Sequence, residues 1–440
     1  MSSKIVFKNA RLVDESIDSM GSLLVDSKSG LIKKVFLNDE AIEDVSEATL
    51  IDCKGHTLMP SFVDMHTHFR DPGQTQKEDL NSGLHAAVAG GYTTVVAMPN
   101  TSPVISSIAA AESNIKRAKK IGLADLYQSM SITKNFEGKD TSHLDNLSEL
   151  EKNLIKVISE DGHDVLDAEK MLEGMQKAAV KGLVVACHCE DPKLVPLARK
   201  ARNSCDYVKA EILLHKAEDT FTERNLQLAK KAGCHIHICH ISTKQSIESV
   251  RCAKENGIHV TSEATPHHLG LSYEMQGIGH QLVNPPLRNE KDRLAVIAGL
   301  KNGTIDCIGT DHAPHTLQDK QNGACGFTGI ELSFAVCNTT LVYGGADWQP
   351  KLKDVISLSN LSKLMSANPA RILGIKKGQL KEGYYADLVL VDPEKEFKVN
   401  SANFKSKGTY TPFNKRKLYG KVLETWKAGI RVFAEKKCLG

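Results

Sequence analysis

The sequence of 440 residues predicts an α/β fold, a (β/α)8 barrel with a small β-sandwich domain built from both chain ends. Two observations predict it. In the middle of the chain, eight short apolar segments alternate with helical patterns, which is typical of parallel βαβ units. At both ends, short segments of alternating apolar and polar residues lie between turn residues, which is typical of a β-meander. We therefore expect a composite β-sandwich from 1–57 and 375–440, and a barrel from 58–374.

The individual elements follow from these patterns. The predicted sandwich strands lie at 5–7, 22–25, 31–35, 386–391, 418–423 and 430–433. The predicted barrel strands lie at 62–66, 93–98, 126–131, 154–158, 183–188, 236–240, 258–262 and 305–309. Apolar residues at helical spacing predict crossover helices before Gly90-Gly91 and after Thr243; these residues are Leu80, Leu84, Ala87, Val88, Ile247, Val250 and Ala253. A barrel of this kind carries its active site at the C-terminal ends of the strands.

Composition narrows the class of protein. The chain is 41% hydrophobic and 25% charged, as an ordinary globular protein is. A net charge of +3 without a dense basic block gives no reason to expect nucleic acid as a partner. We expect neither a signal peptide nor a membrane span, because no apolar run is long enough. The eleven cysteines are odd in number and several lie in predicted strands, so we expect reduced thiols and a cytoplasmic protein.

Metal-binding residue types recur where the predicted strands end. His66 and His68 are two residues apart and so share one face of an extended strand. With them, the further candidates make a set of four histidines and two aspartates that suits one or two divalent metals; these are Asp161, His188, His240 and Asp311. Asp311 follows the eighth predicted strand, where a carboxylate can contact a metal and transfer a proton.

Some neighbouring residues compete for these roles. Glu160 is the alternative to Asp161, and a turn or helix-cap role for Asp161 is the alternative to metal binding. Cys189 could bind a metal when substrate is absent, but a buried structural thiol is the favoured interpretation. His235 and His237 lie at odd offsets from His240, so we expect them to face away and to be structural.

Four stretches of the sequence together form a familiar pattern: 66–75, 98–101, 284–288 and 310–315. They resemble the motifs of the amidohydrolase superfamily and, within it, of the dihydroorotase family. Glu160-Asp161-Gly162 is similar to the bacterial type I branch, in which an aspartate stands where other members carry a carboxylated lysine. Residues 378–392 resemble the small β-domain of the superfamily. The similarity runs through nearly the whole chain in order.

The resemblance implies a zinc-dependent cyclic amidohydrolase with one or two Zn2+ ions, which interconverts L-dihydroorotate and N-carbamoyl-L-aspartate in de novo pyrimidine (UMP) biosynthesis. Water activated by the metal would attack the ring amide carbonyl, with Asp311 as the general base and acid. One metal would be held by His66, His68, Asp161 and Asp311, and the second by Asp161, His188 and His240. Implied substrate contacts are His68, Arg70, Asn100, Asn284, His315, Cys325 and Gly326.

The chain departs from the family pattern at Glu160, where an aspartate is usual, and at Cys325 in the loop before Gly326. The sequence leaves three functions open: dihydroorotase, a hydantoinase-like or allantoinase-like cyclic amidase, and an inactive scaffold for aspartate transcarbamoylase. Arg70 favours the first, because a substrate without a carboxylate leaves that cation unpaired. The resemblance also implies aspartate transcarbamoylase as a partner and a homo-oligomeric assembly.

Overall fold

The computed structural model describes residues 4–38, 40 and 47–435, so the outermost parts of the predicted sandwich ranges lie outside the described residues. The strands are β1 (Lys4–Val13), β2 (Asp18–Asp26), β3 (Leu31–Leu37), β4 (Thr49–Asp52), β5 (Thr57–Pro60), β6 (Phe62–Thr67), β7 (Tyr92–Ala97), β8 (Asp125–Gln128), β9 (Met130–Ser131), β10 (Val157–Ser159), β11 (Val184–Cys187), β12 (His235–Ile238), β13 (Val260–Ala264), β14 (Cys307–Ile308), β15 (Leu388–Lys398), β16 (Lys417–Lys427) and β17 (Ile430–Ala434).

The α-helices are α1 (Leu80–Ala89), α2 (Ile108–Ile121), α3 (Glu149–Leu154), α4 (Ala168–Lys181), α5 (Leu194–Asn203), α6 (Tyr207–Ala232), α7 (Lys244–Glu255), α8 (Pro266–Gly270), α9 (Glu290–Asn302), α10 (Leu317–Gln321), α11 (Ser333–Cys337), α12 (Leu358–Ser362) and α13 (Asn368–Ile372). Shorter 3-10 and π-helical turns connect several of them. No helix in the described ranges is both long enough and apolar enough to span a bilayer.

The central strands form the predicted barrel. β6, β7 and β8 pair in parallel, and β9 to β14 pair in parallel in chain order. β8 and β9 are two parts of the third barrel strand, which the chain interrupts at Ser129. A parallel bridge from Thr67 to His312 joins the first barrel strand to the segment after the last, and the His68 amide donates to the His312 carbonyl at 2.9 Å. Eight strands thus surround an interior filled by small and branched apolar side chains.

Several predicted strand limits are wrong by one to three residues, and one predicted strand is partly helical. The sequence predicts a strand over 154–158, but α3 extends to Leu154 and β10 begins only at Val157. The reason is a capping box, in which Ser148 and Glu151 each bond the other's main chain and so stabilise the short helix. Lys156 precedes β10 and is half-buried. The eighth strand is likewise shorter than predicted, because only Cys307–Ile308 pairs.

The predicted crossover helices are confirmed. In α1 the apolar residues at helical spacing are buried, Asp79 caps the N-terminus, and Gly90 ends the helix. In α7, Thr243 caps the N-terminus and the predicted apolar face is buried, namely Ile247, Val250 and Ala253. Each helix therefore turns the chain back onto the outside of the barrel and returns it to the next strand.

Strands from both chain ends form one mixed sheet of eight strands, in which β5 joins the N-terminal strands to the C-terminal ones. Phe7 on β1 and Trp426 on β16 are not on neighbouring strands, yet their ring centroids lie 4.9 Å apart. The sheet therefore folds over and encloses its own apolar core, as the predicted sandwich requires. Because β5 (Thr57–Pro60) lies in this sheet, the sheet extends past the predicted domain limit at residue 57.

One buried cation joins this sheet to the barrel. Lys377 Nζ lies 2.5 Å from Asp125 Oδ2 at the start of the third barrel strand and 2.7 Å from Asp387 Oδ2 beside β15. It also donates to Thr94 Oγ1 at 2.9 Å. Burial opposes the charged amine, but the two carboxylates outweigh it and raise the pKa of Lys377. The ion pairs therefore hold the terminal sheet against the N-terminal side of the barrel, away from the strand ends that carry the site.

Candidate active site

Asp161 lies at the centre of four buried histidines at the C-terminal mouth of the barrel. Its Oδ1 is 3.3 Å from His66 Nε2, 3.5 Å from His188 Nδ1 and 3.9 Å from His240 Nε2. Its Oδ2 is 3.5 Å from His68 Nε2. The histidines come from the ends of three different barrel strands, so the barrel closure described above is what brings them together. The structure thus places these five predicted residues in one cluster.

Asp311 completes the cluster from the end of the eighth strand. Its Oδ1 lies 3.1 Å from His68 Nε2 and 3.8 Å from His66 Nε2. The main chain at Asp311 is left-handed, with φ +45°, which turns the carboxylate over the barrel mouth. Thr310, the residue before it, is fixed by Asp64 at the base of the site, whose Oδ1 accepts from the Thr310 amide at 2.9 Å.

These residues fit a divalent metal. His66 Nε2 and Asp161 Oδ1 are buried polar atoms without a hydrogen-bond partner among the described residues, and leaving such atoms unpaired is costly. Among the sets of possible ligand atoms that lie within 4.8 Å of one another, two consist of predicted ligands alone: His66, His68 and Asp311, and His66, Asp161 and His240. Imidazole nitrogens and carboxylate oxygens in this combination suit zinc and similar ions.

The side chains of Glu160 and Asp161, the two candidates for the carboxylate ligand, face in different directions. Glu160 Oε2 accepts from the Ile132 and Thr133 amides, each at 2.9 Å, and its Oε1 accepts from the Thr133 hydroxyl. Burial raises the pKa of Glu160 to about 7 despite these bonds. Its side chain therefore holds the neighbouring loop, and only Asp161 faces the histidines.

A further ring of acceptors, not predicted from the sequence, orients the histidines. His66 Nδ1 lies 2.7 Å from Glu263 Oε1, and His188 Nε2 lies 2.9 Å from Glu190 Oε2. Carboxylates in such positions fix the ring so that its other nitrogen faces the metal. A signal for Glu263 was present: it lies on β13, one residue past the predicted limit of that strand, as an acidic residue among buried neighbours.

His237, expected to face away from the site, contacts Glu263 instead, with His237 Nε2 3.2 Å from Glu263 Oε2. It therefore lies behind the carboxylate that orients His66. His235 is farther away, and its Nε2 lies 2.9 Å from Thr261 Oγ1. Cys189 is buried, and Asn225 Nδ2 donates to its Sγ at 3.4 Å. In the described part of the chain Cys189 joins none of the possible ligand sets.

The residues predicted to bind substrate lie beside the cluster. Arg70 Nη2 is 3.2 Å from His315 Nε2, which in turn is 2.8 Å from the Cys325 carbonyl. Because a carbonyl only accepts, Nε2 carries the proton and donates to Cys325, and Arg70 Nη2 finds no acceptor there. Burial and the nearby Arg70 lower the pKa of His315 to about 3, so its ring is neutral. No carboxylate pairs with Arg70 among the described residues.

Asn100, Asn284 and Gly326 differ in what they contact. Asn100 Oδ1 is 2.9 Å from His68 Nδ1, and its Nδ2 donates to Asp161 Oδ2 at 3.1 Å, so the amide holds two residues of the cluster. Asn284 is half-buried in the loop before α9. Gly326 has φ +138°, and a Cβ there would lie 2.6 Å from the Ala313 carbonyl oxygen, so only glycine fits against that segment.

Comparison with known families identifies the chain. The family model described as "Amidohydrolase family" matches residues 57–432, which is most of the sequence. The chain belongs to the amidohydrolase family. The match begins at β5 and includes all eight barrel strands and every residue of the cluster.

Curated relatives match over nearly their whole length. The chain is 41% identical over 426 residues to a protein named dihydroorotase from Clostridium botulinum, covering 97% of this chain and 98% of the relative. It is 36% identical over 435 residues to a protein of the same name from Aquifex aeolicus, covering 98% and 100%.

Solved structures confirm the fold. An L-hydantoinase (dihydropyrimidinase) from Arthrobacter aurescens matches with a TM-score of 0.85 and 24% identity over 100% of this chain and 98% of that one. A dihydropyrimidinase from Brevibacillus agri matches with a TM-score of 0.83 and 23% identity, over 99% and 96%. At this identity the likeness concerns architecture alone, and the predicted barrel with a terminal β-sandwich is confirmed.

Proposed function

We propose that the chain is a metal-dependent dihydroorotase that interconverts L-dihydroorotate and N-carbamoyl-L-aspartate in pyrimidine biosynthesis. The relatives of that name support the reaction, and the family supports hydrolysis of a cyclic amide. The single observation that carries the choice of substrate is Arg70. Its guanidinium lies beside the cluster without a carboxylate partner in the described chain, as a site for an anionic ring requires.

The fit of the cluster assigns each residue a part in holding metal. We propose that His66, His68, Asp161 and Asp311 hold one ion and that Asp161, His188 and His240 hold a second, with Asp161 shared. A divalent cation supplies Lewis acidity there, which makes water a stronger nucleophile at neutral pH and polarises the amide carbonyl. The nitrogen and oxygen donors favour zinc.

Asp311 is the group that moves the proton. Its Oδ1 faces His68 and His66, which leaves its second oxygen to accept a proton from the attacking water. The same oxygen then returns that proton to the ring nitrogen as the amide bond breaks. In the direction of ring closure the roles reverse, and the carboxylate takes the proton from the nitrogen that attacks.

The substrate-side residues orient the ring. Arg70 would pair with the carboxylate of dihydroorotate through two parallel hydrogen bonds, and His315 would lie next to that carboxylate. Asn100 would steady His68 and Asp161, in addition to any contact with substrate. Asn284, Cys325 and Gly326 stay predictions as substrate contacts. They lie in two loops that hydrogen-bond to each other through Gly326 and Leu282.

The nearest alternative is a hydantoinase-like or allantoinase-like amidase, since hydantoinases share the fold. The test compares kcat/KM of the metal-loaded protein for dihydroorotate and for dihydrouracil, which lacks the carboxylate, and measures metal content in the same preparation. We expect dihydroorotate to be strongly preferred. Comparable values for both rings would contradict the proposal, and bound metal without any turnover would favour an inactive scaffold. A homo-oligomer and an aspartate transcarbamoylase partner also stay predictions, to be tested by the mass of the protein in solution alone and in mixture.

A further inference from the structure

Lys320 is a buried cation that the mechanism above does not use. It lies in α10, and the residue is 9% exposed. Its Nζ donates to three main-chain carbonyls: Leu282 at 2.9 Å, Ala324 at 2.7 Å and Gly326 at 2.9 Å. An ammonium group has three N–H donors, so all three are used. In the described chain no carboxylate pairs with it.

Two aromatic rings lie near the buried amine of Lys320. The ring of Tyr410 lies 4.5 Å from Nζ and the ring of Phe327 lies 5.5 Å away, each measured to the ring centroid. Aromatic faces attract cations, so these rings compensate part of the charge. The hydroxyl of Tyr410 donates to Gln281 Oε1 at 2.6 Å, which ties the same ring to the segment before Leu282.

The three carbonyls belong to the two loops that carry predicted substrate contacts. Leu282 precedes Asn284 by two residues, and Ala324 and Gly326 lie on either side of Cys325. The Leu282 carbonyl accepts a second bond, from the Gly326 amide at 3.0 Å, so both loops meet at Lys320. The Cys325 carbonyl then fixes His315, which lies next to Arg70.

We propose that Lys320 is a positioning residue that holds these two loops together and so sets the affinity for the anionic substrate. It acts through main-chain carbonyls and does not touch the reacting atoms. The inference rests on the proposed function for its substrate, although the joining of the loops does not depend on that function. Loss of this clamp should raise KM and leave kcat largely intact, because the metal cluster and Asp311 lie on other segments.

Titration gives a second readout. Burial lowers the pKa of Lys320 to about 8. Above that pH a neutral amine keeps only two N–H donors for three carbonyls, so KM should rise. The groups that face Lys320 do not share this titration: burial raises the pKa of both Cys325 and Tyr410, and His315 is already neutral. Asp319, its neighbour in α10, is ionised because its pKa is lowered by Thr316.

The experiment uses the full-length, metal-loaded protein and three variants: Lys320→Met, Lys320→Arg, and Lys120→Met as a control on the exposed side of α2. We expect Lys320→Met to raise KM for dihydroorotate roughly 10- to 100-fold, as loss of charged hydrogen bonds does, with kcat within about threefold. Lys320→Arg should keep KM near the wild-type value and abolish the rise of KM above pH 8. Lys120→Met should change neither.

Hydrogen exchange of the ligand-free protein separates this inference from the proposed function. We expect faster exchange of the Gly326 amide in Lys320→Met than in wild type, whatever the substrate. Unchanged exchange together with unchanged KM would overturn the inference, as would a fall in kcat at constant KM. If Lys320→Met does not fold, the wild-type profile decides: a KM that is flat from pH 7 to 9.5 overturns the inference. If the wild-type protein does not turn over dihydroorotate, the proposed function is wrong. The hydrogen-exchange result then tests by itself whether Lys320 holds the two loops together.

Discussion

The two sides of the barrel mouth carry side chains of opposite charge. On the metal side, Asp161 and Asp311 lie among the histidines, and Glu190 and Glu263 lie behind them. On the substrate side, Arg70 and Lys320 have no carboxylate partner in the described chain. The first side requires a cation and the second an anion. Metal ions can therefore pair with the carboxylates of the first side while the carboxylate of a substrate pairs with Arg70 on the second side.

The largest effect should come from Asp311, the metal-side carboxylate that is proposed to transfer the proton. We expect Asp311→Asn to lower kcat about 10²- to 10⁴-fold, because a positioned acid–base group contributes that much. Metal content should persist, since His66, His68 and Asp161 remain. Turnover and metal content of one preparation check this, with Asp354→Asn, whose side chain is 84% exposed, as the control. Turnover near that of wild type would remove Asp311 from the mechanism.

Removing the cation from the substrate side should have the next largest effect. We expect Arg70→Met to lower kcat/KM for dihydroorotate about 10- to 100-fold, because a charged hydrogen bond to a carboxylate contributes about 1.5–3 kcal/mol. Its activity on dihydrouracil should change little, so the preference between the two rings narrows. Steady-state kinetics with both substrates measure this. Equal decreases of kcat/KM for both substrates would show that Arg70 does not recognise the carboxylate.

The acceptors behind the histidines should matter for metal affinity and less for catalysis. We expect Glu190→Gln to weaken metal binding about 10- to 100-fold, because Glu190 orients His188. Glu160→Gln is the matched control, since Glu160 is also buried next to the cluster but bonds Ile132 and Thr133 instead. Competition with a chelator measures both affinities. If the two variants lose affinity alike, orientation of His188 is not the cause.

The smallest effect should come from Lys156, which lies five residues before Asp161 in the sequence. We expect Lys156→Ala to leave turnover within about twofold of wild type, since in the proposed assignment Asp161 is the shared carboxylate and substitutions away from buried networks are usually mild. Activity of the wild-type protein should not depend on added bicarbonate. A bicarbonate requirement that disappears in this variant would mean that a carboxylated lysine replaces Asp161.

The metal side could be predicted from the sequence, and most of the substrate side could not be without a family resemblance. Strand ends in a parallel barrel converge, so His66, His188 and Asp311 meet as soon as the strands are identified. Glu263 and Lys320 act through contacts between segments far apart in the chain, which no local pattern specifies. The limits of short strands could not be predicted either, because an apolar run such as 154–158 fits both a helical and a strand repeat. Here the capping box at Ser148 stabilises a helix that extends to Leu154.

The terminal sheet has a consequence for how the chain is made. β5 ends at Pro60, but its partner β15 begins at Leu388, about 330 residues later. A ribosome adding about 5–20 residues per second takes roughly 15 to 65 s to supply that partner. During this interval the apolar face around Phe7 has no cover from Trp426, while the barrel strands emerge one after another. The sheet around the N-terminal strands therefore stays incomplete until β15 and β16 have been made, long after the barrel strands.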